Sequence, residues 1–177
     1  MARARNILIA SLGWCCLMAF AVAWVLGGGK DLRDYAASTL QPLRHGTVLR
    51  YDDEVHAIWS GWWRGDGYRL SNDINPAVVF LASDAARDCS LAIASFPLRA
   101  DSDVPQRIYA ALNGDTSAGP VAIFVEQHVV IAHVGDIVNG VNVLKLRLPD
   151  AHKTNARDER IEAIGLRSIE FVCRDGN

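Results

Sequence analysis

The sequence predicts an all-β body, an antiparallel β-sandwich, carried behind one N-terminal transmembrane helix. Three observations predict it. Residues 7–29 contain no charged side chain, about the length a helix needs to cross a bilayer. From residue 46 onward the chain breaks into short runs rich in β-branched residues, separated by turn residues, as sandwich strands do. No apolar-periodic stretch in that part is long enough for the helical crossover that parallel strands need, so an α/β fold is disfavoured.

Met1 to Arg5 is short and basic. Arg3 and Arg5 favour a cytoplasmic N-terminus, although Lys30 and Arg33 flank the far end of the run. Trp24 suits a membrane interface. Ala21-Val22-Ala23 has the small-x-small form of a cleavage site, so a cleaved signal peptide is the alternative. The apolar run continues through Val25 and Leu26, which favours an uncleaved signal-anchor over residues 1–29. Trp14 stands where a lipoprotein needs a small residue before Cys15. Either membrane reading puts the body outside the cytoplasm. Residues 30–45 read as a tether. Within it, Leu32, Tyr35, Ala36 and Leu40 give a weak apolar stripe for a short helix, and Pro42 stops it.

Residues 46–177 form the sandwich. Strand candidates run over 47–51, 77–82, 90–96, 107–112, 121–125, 129–134, 143–148 and 166–172. The fourth closes on Asn113-Gly114, a strong turn dipeptide. Apolar and basic residues alternate cleanly over Val143-Leu144-Lys145-Leu146-Arg147-Leu148, and Pro149 ends that run. About 130 residues bury an adequate core of this kind. The formal net charge is −2, which suggests no nucleic-acid partner.

Of four cysteines, Cys15 and Cys16 lie in the apolar run. Cys89 and Cys173 remain in the body. An oxidising compartment permits a disulfide between them, and two buried free thiols are the alternative. No zinc-like Cys/His spacing occurs.

The segment Trp59-Ser60-Gly61-Trp62-Trp63-Arg64-Gly65-Asp66-Gly67-Tyr68-Arg69-Leu70 holds three of the five tryptophans. Such rings either close a sheet core or form a platform for a ligand. Sugar C–H faces stack on indole and phenol rings, and Arg and Asp side chains hydrogen-bond hydroxyls. Trp59, Trp62, Trp63, Arg64, Asp66 and Tyr68 are therefore the candidate ligand-binding residues. Trp62 and Trp63 are adjacent, so on a strand they face opposite sides.

The order of features then resembles a known domain. Gly61-Trp62-Trp63 and Gly67-Tyr68-Arg69-Leu70 come first, then a strand ending in Asn113-Gly114. Asn139-Gly140-Val141-Asn142-Val143-Leu144-Lys145-Leu146 follows. Asp158-Glu159-Arg160, Ile164-Gly165-Leu166 and Ser168-Ile169-Glu170-Phe171 close the chain. This is similar to a β-sandwich domain of unknown function, a galactose-binding-like jelly roll, attached to bacterial membrane glycosyltransferases and sulfatase-like phosphoglycerol transferases. The resemblance spans about residues 46–173. It implies a jelly-roll-like fold and an envelope setting, and it carries over no catalytic residue. It puts Arg160 at a family-like position, where a guanidinium can fork onto a carboxylate or phosphate or tie its loop through Asp158.

Asp52-Asp53-Glu54, Asn72-Asp73 with Asn75, and Asp101-Ser102-Asp103 offer oxygens, but none matches a calcium loop, and no metal or cofactor is expected. His45, His56, His128, His133 and His152 are dispersed. No Gly-x-Ser-x-Gly occurs, and Gly65–Gly67 lacks the helix and third glycine of a phosphate loop. The expectation is a non-catalytic, single-pass protein of the bacterial cytoplasmic (inner) membrane with a periplasmic body. It binds envelope glycan or assists envelope polysaccharide synthesis. The alternative is an interaction subunit that docks on a multi-span membrane glycosyltransferase or transporter.

Overall fold

A computed structural model describes residues 33–44, 47–98, 105–114, 118–153 and 161–174. The expected membrane helix over residues 1–29, Arg160, Asp158 and the acidic run at 101–103 lie outside these residues. Among the described residues no helix is long and apolar enough to cross a membrane. The chain divides into two units, Met1–Ser38 and Thr39–Asn177. Residues 33–39 are helical, within the stretch where the stripe predicts a short helix.

The second unit is all-β. In chain order its strands are β1 (Val48–Arg50), β2 (Ala57–Ser60), β3 (Trp62–Arg64), β4 (Arg69–Ser71), β5 (Ala77–Ala82), β6 (Ala86–Pro97), β7 (Gln106–Leu112), β8 (Ala118–Ile123), β9 (Gln127–Ile137), β10 (Gly140–Arg147), β11 (His152–Lys153), β12 (Ile161–Glu162) and β13 (Ile164–Arg174). The first sheet runs β3-β4-β13-β6-β9, with β1 also on β13. The second runs β2-β5-β10-β7-β8, and β11 pairs with β12. All strand pairings are antiparallel. The eight sequence-predicted strands correspond to β1, β5, β6, β7, β8, β9, β10 and β13. The run predicted over 121–125 ends instead at Ile123, and Phe124 and Val125 are exposed in the turn to β9.

The alternation read from the sequence sets the faces. On β10, Asn142, Leu144 and Leu146 are buried, while Lys145 and Arg147 are exposed. On β13, Ile164 and Leu166 face inward, a register shift follows, and Ile169 and Phe171 resume the inward face. Val78, Val79 and Phe80 of β5 are all buried. The Phe80 and Phe171 rings meet at 4.8 Å across the two sheets. Each fully buried Leu or Ile contributes roughly 1.5–3 kcal/mol.

Two devices hold one end of the sandwich. Asn142, fully buried, accepts from Val138 N (2.9 Å) and Asn113 Nδ2 (2.8 Å), and it donates to the Val138 (2.8 Å) and Gly140 (2.9 Å) carbonyls. Asn113 sits at a φ of 57° and its Oδ1 accepts from Val143 N at 3.0 Å. This left-handed conformation is one asparagine tolerates. At the same end, where Asp136 accepts from both Asn113 Nδ2 and Asp88 N, Cys89 of β6 and Cys173 of β13 form a disulfide, 84 residues apart. Beside it, bulges between β6 and β9 leave Asp88 (φ 49°) and His133 (φ 54°) left-handed. The Asp88 carboxylate accepts from the His133 ring and pairs with Arg174 at 3.1 Å. These contacts hold its pKa below the ordinary carboxylate value, the His133 hydrogen bond chiefly.

Candidate functional site

The aromatic segment is a corner. Ser60 ends β2 in the second sheet and Trp62 opens β3 in the first, so Gly61 alone carries the chain between sheets. Its φ is +74°, and a Cβ there would meet the Pro76 Cα at 3.1 Å. Only glycine takes that turn without strain. The sequence-based expectation that Trp62 and Trp63 face opposite sides holds in the structure: Trp62 is 7% exposed and Trp63 is 51% exposed.

The inward half of the segment closes the end of the sandwich. Trp59 meets Trp62 edge-on with ring centroids 6.3 Å apart. Trp59 is half-buried and its Nε1 donates to the Asp53 carbonyl at 2.8 Å. The Arg69 guanidinium lies 4.9 Å over the Trp59 ring. Its Nε donates to the Tyr51 carbonyl at 2.6 Å, and one terminal nitrogen reaches Glu54 Oε1 at 3.0 Å. Arg64 reaches the same oxygen at 3.4 Å. Burial lowers the Arg69 pKa, opposed by the hydrogen bond and charge of Glu54. Trp62 therefore takes the core alternative, and Trp59 and Arg64 serve the corner.

The outward half belongs to the exposed face of the first sheet. Trp63 stands opposite Leu70, Leu70 opposite Gly165, and Gly165 opposite Phe96. Directly opposed residues share a face, so these four form one lateral row across β3, β4, β13 and β6. The Phe96 ring lies on Gly165, where a Cβ would come within 2.1 Å of it. Tyr68 meets Phe96 edge-on at 5.1 Å. Arg167 lies 5.6 Å over Phe96 and pairs with Glu126 at 2.8 Å. The next row is Arg50, Ser168, Ala94 and His128. Together with Val48, Tyr51, Gly67 and Arg167 they line an open depression of about 360 Å³. Asp66 is exposed.

The structure thus brings Trp63 and Tyr68 to one face, beside Arg167, Arg50, Tyr51 and His128, which sequence reasoning did not assign to a site. Arg50 and Arg167 are the polar members of alternating strands, a visible signal. That β1 and β13 are neighbours is set by tertiary pairing, so their convergence was not visible. The acidic runs serve local turns. Asp53 accepts from the His56 backbone and ring at 3.0 Å, and Asp73 accepts from Asn75 N at 3.0 Å. Among the described residues no three His, Cys, Asp or Glu side chains converge as a metal site. Chemically, this face offers flat rings for C–H stacking next to guanidinium, imidazole and phenol groups for hydroxyls.

No protein-family model and no curated protein matches the chain. Among solved structures it is similar to a CBM35 from Cellvibrio japonicus Abf62, at 18% identity and a TM-score of 0.46, covering 75% of this chain and 98% of that one. It is also similar to a family 35 carbohydrate binding module from Clostridium thermocellum, at 11% identity and a TM-score of 0.45, covering 72% and 98%. A third is the Podospora anserina GH26-CBM35 β-(1,4)-mannanase, at 16% identity and a TM-score of 0.44. There the match covers 75% of this chain and only 28% of the mannanase.

Proposed function

We propose that the outer face of the first sheet is a glycan-binding surface of a non-catalytic module. Residues 1–29 anchor it at the bacterial cytoplasmic membrane, where it binds envelope glycan or assists the machinery that makes it. The observation that carries this reading is one sheet face that holds the half-exposed Trp63 indole in a row with Phe96, the Tyr68 ring edge-on to Phe96 and, one row along, the open depression lined by Arg50, Arg167 and His128. A concave site with rings and polar groups fits a sugar, whereas a flat apolar patch fits a protein partner.

The test is a screen of the full chain, in detergent micelles, against bacterial envelope oligosaccharides, followed by titration of the best ligand. Trp63→Ala is expected to weaken binding about tenfold or more while keeping the unfolding midpoint, because a ring stacked on ligand is a large fraction of a weak binding energy. Trp62→Ala is expected to cost about 3–5 kcal/mol of stability instead. A Trp63→Ala protein with unchanged glycan affinity would refute the assignment. Recovery from native membranes of a stoichiometric transferase that Trp63→Ala releases would replace it with the docking reading.

A further inference from the structure

The outer face of the second sheet carries a separate depression of about 450 Å³. Its floor comes from short side chains. Ala77 and Ala111 stand on either side of Lys145 in register, across β5, β10 and β7. Their single methyl groups leave space between longer neighbours. One row along, Arg147 stands opposite Tyr109 with its guanidinium 4.1 Å from the ring centroid. Asn75 and Gly114 form the rim.

Among the described residues the charges here are not balanced locally. Lys145 and Arg147 are two apart on β10, so they project from one face about 7 Å apart. Both are exposed. The adjacent Arg107 is different. Its terminal nitrogen and Nε fork onto Asp150 at 2.7 and 2.9 Å, which raises its pKa and lowers that of Asp150, the side-chain hydrogen bond chiefly in each case. Among the described residues no carboxylate lies within ion-pair distance of Lys145 or Arg147. The stack on Tyr109 holds the Arg147 fork in one orientation, so less freedom is lost when it meets an anion. The volume falls in the range of roughly 300–1,000 Å³ typical of small-molecule sites, more than a lone inorganic anion fills.

We propose that this depression binds a carboxylate-bearing saccharide, independently of the first-sheet face. Lys145 and Arg147 hold the carboxylate and the alanine floor admits the sugar ring. The test is calorimetric titration of the full chain with three probes: trigalacturonate, the neutral trigalactose, and inorganic phosphate. The expected result is binding of trigalacturonate well above the other two. Lys145→Ala and Arg147→Ala should each weaken it about tenfold or more, as for a lost charge-assisted hydrogen bond. Lys145→Arg should restore it to within about threefold, since charge is kept. Both positions are exposed, so each variant should keep the wild-type unfolding midpoint. Amide shifts at Ala77 and Ala111 locate the ligand. Equal affinity for trigalactose overturns the charge argument. Phosphate binding as tightly as trigalacturonate makes this an inorganic-anion site and overturns the saccharide. Binding insensitive to both alanine variants, shifts confined to the Trp63 indole, or no binding of any probe also overturns the proposal.

Discussion

Arg69→Ala tests whether the corner is held by a buried cation. The Arg69 side chain is only 7% exposed, whereas its partner Glu54 is 59% exposed. Truncation removes two buried methylenes at about 0.8 kcal/mol each. It also removes the contact with Trp59, worth about 1 kcal/mol when largely desolvated. The Tyr51 carbonyl loses its donor at about 1 kcal/mol, since Tyr51 is half-buried and water reaches part of it. Against these, the variant no longer desolvates a guanidinium, which returns about 1–2 kcal/mol once the offset from Glu54 is counted. The net expectation is a loss of about 1.5–2.5 kcal/mol, read as a lower urea midpoint at unchanged m. Glu54→Gln should cost less than about 1 kcal/mol, because a mostly exposed partner contributes little. Arg69→Met keeps the stem and should fall between the two. The reasoning is refuted if Arg69→Ala lies within about 0.5 kcal/mol of wild type, below any single loss counted above, or if Glu54→Gln is as damaging as Arg69→Ala.

Other perturbations follow from the same contacts. Asn142→Ala strands four backbone and side-chain groups at once, at about 1 kcal/mol or more each, so a loss of at least about 3 kcal/mol in denaturant titration is expected. Reduction, or Cys89→Ser, opens an 84-residue span; the chain-entropy estimate is roughly 4–5 kcal/mol, read as a lower thermal midpoint in reductant than in its absence. Asp88 and Asp150 have folded-state pKa values below the ordinary carboxylate value. Their contribution is therefore full above that value and lost as pH falls through the lower folded values. Acid titration of stability should show this loss below about pH 4, and Asp150→Asn should flatten it.

Most of the fold was legible because alternation is a local property. Lys145 and Arg147 were readable as outward and Leu144 and Leu146 as inward from spacing alone. The short strands β2, β3 and β4 were hidden in the aromatic segment, since three or four residues on each side of glycines carry too little periodicity. Of the candidate ligand residues, the split between Trp62 and Trp63 followed from adjacency on a strand. The burial of Arg69 did not, because only the loop over Tyr51 to Glu54 makes a dry place for a guanidinium. The pairing of Cys89 with Cys173 was one of two open readings; the structure joins them, because β6 and β13 are neighbours along their length.

The strap at the start of the second unit has a mechanical consequence. Leu43 bridges Ala82 in parallel, its N–H bonds Leu81 O at 2.6 Å, and its carbonyl accepts from Ser83 N at 3.3 Å, while Gln41 N bonds Val55 O at 2.9 Å. Tension applied at residue 39 therefore meets this clip before any strand of either sheet. Once it slips, only the chain between the strap and Cys89 can be drawn out, because everything from Cys89 to Cys173 is closed covalently. That limits the extension to about 45 residues, roughly 150–160 Å at full stretch. Under load, the domain would act as a short leash with a fixed stop, and most of the outer face of the first sheet carried by β6, β9 and β13 would lie behind that stop.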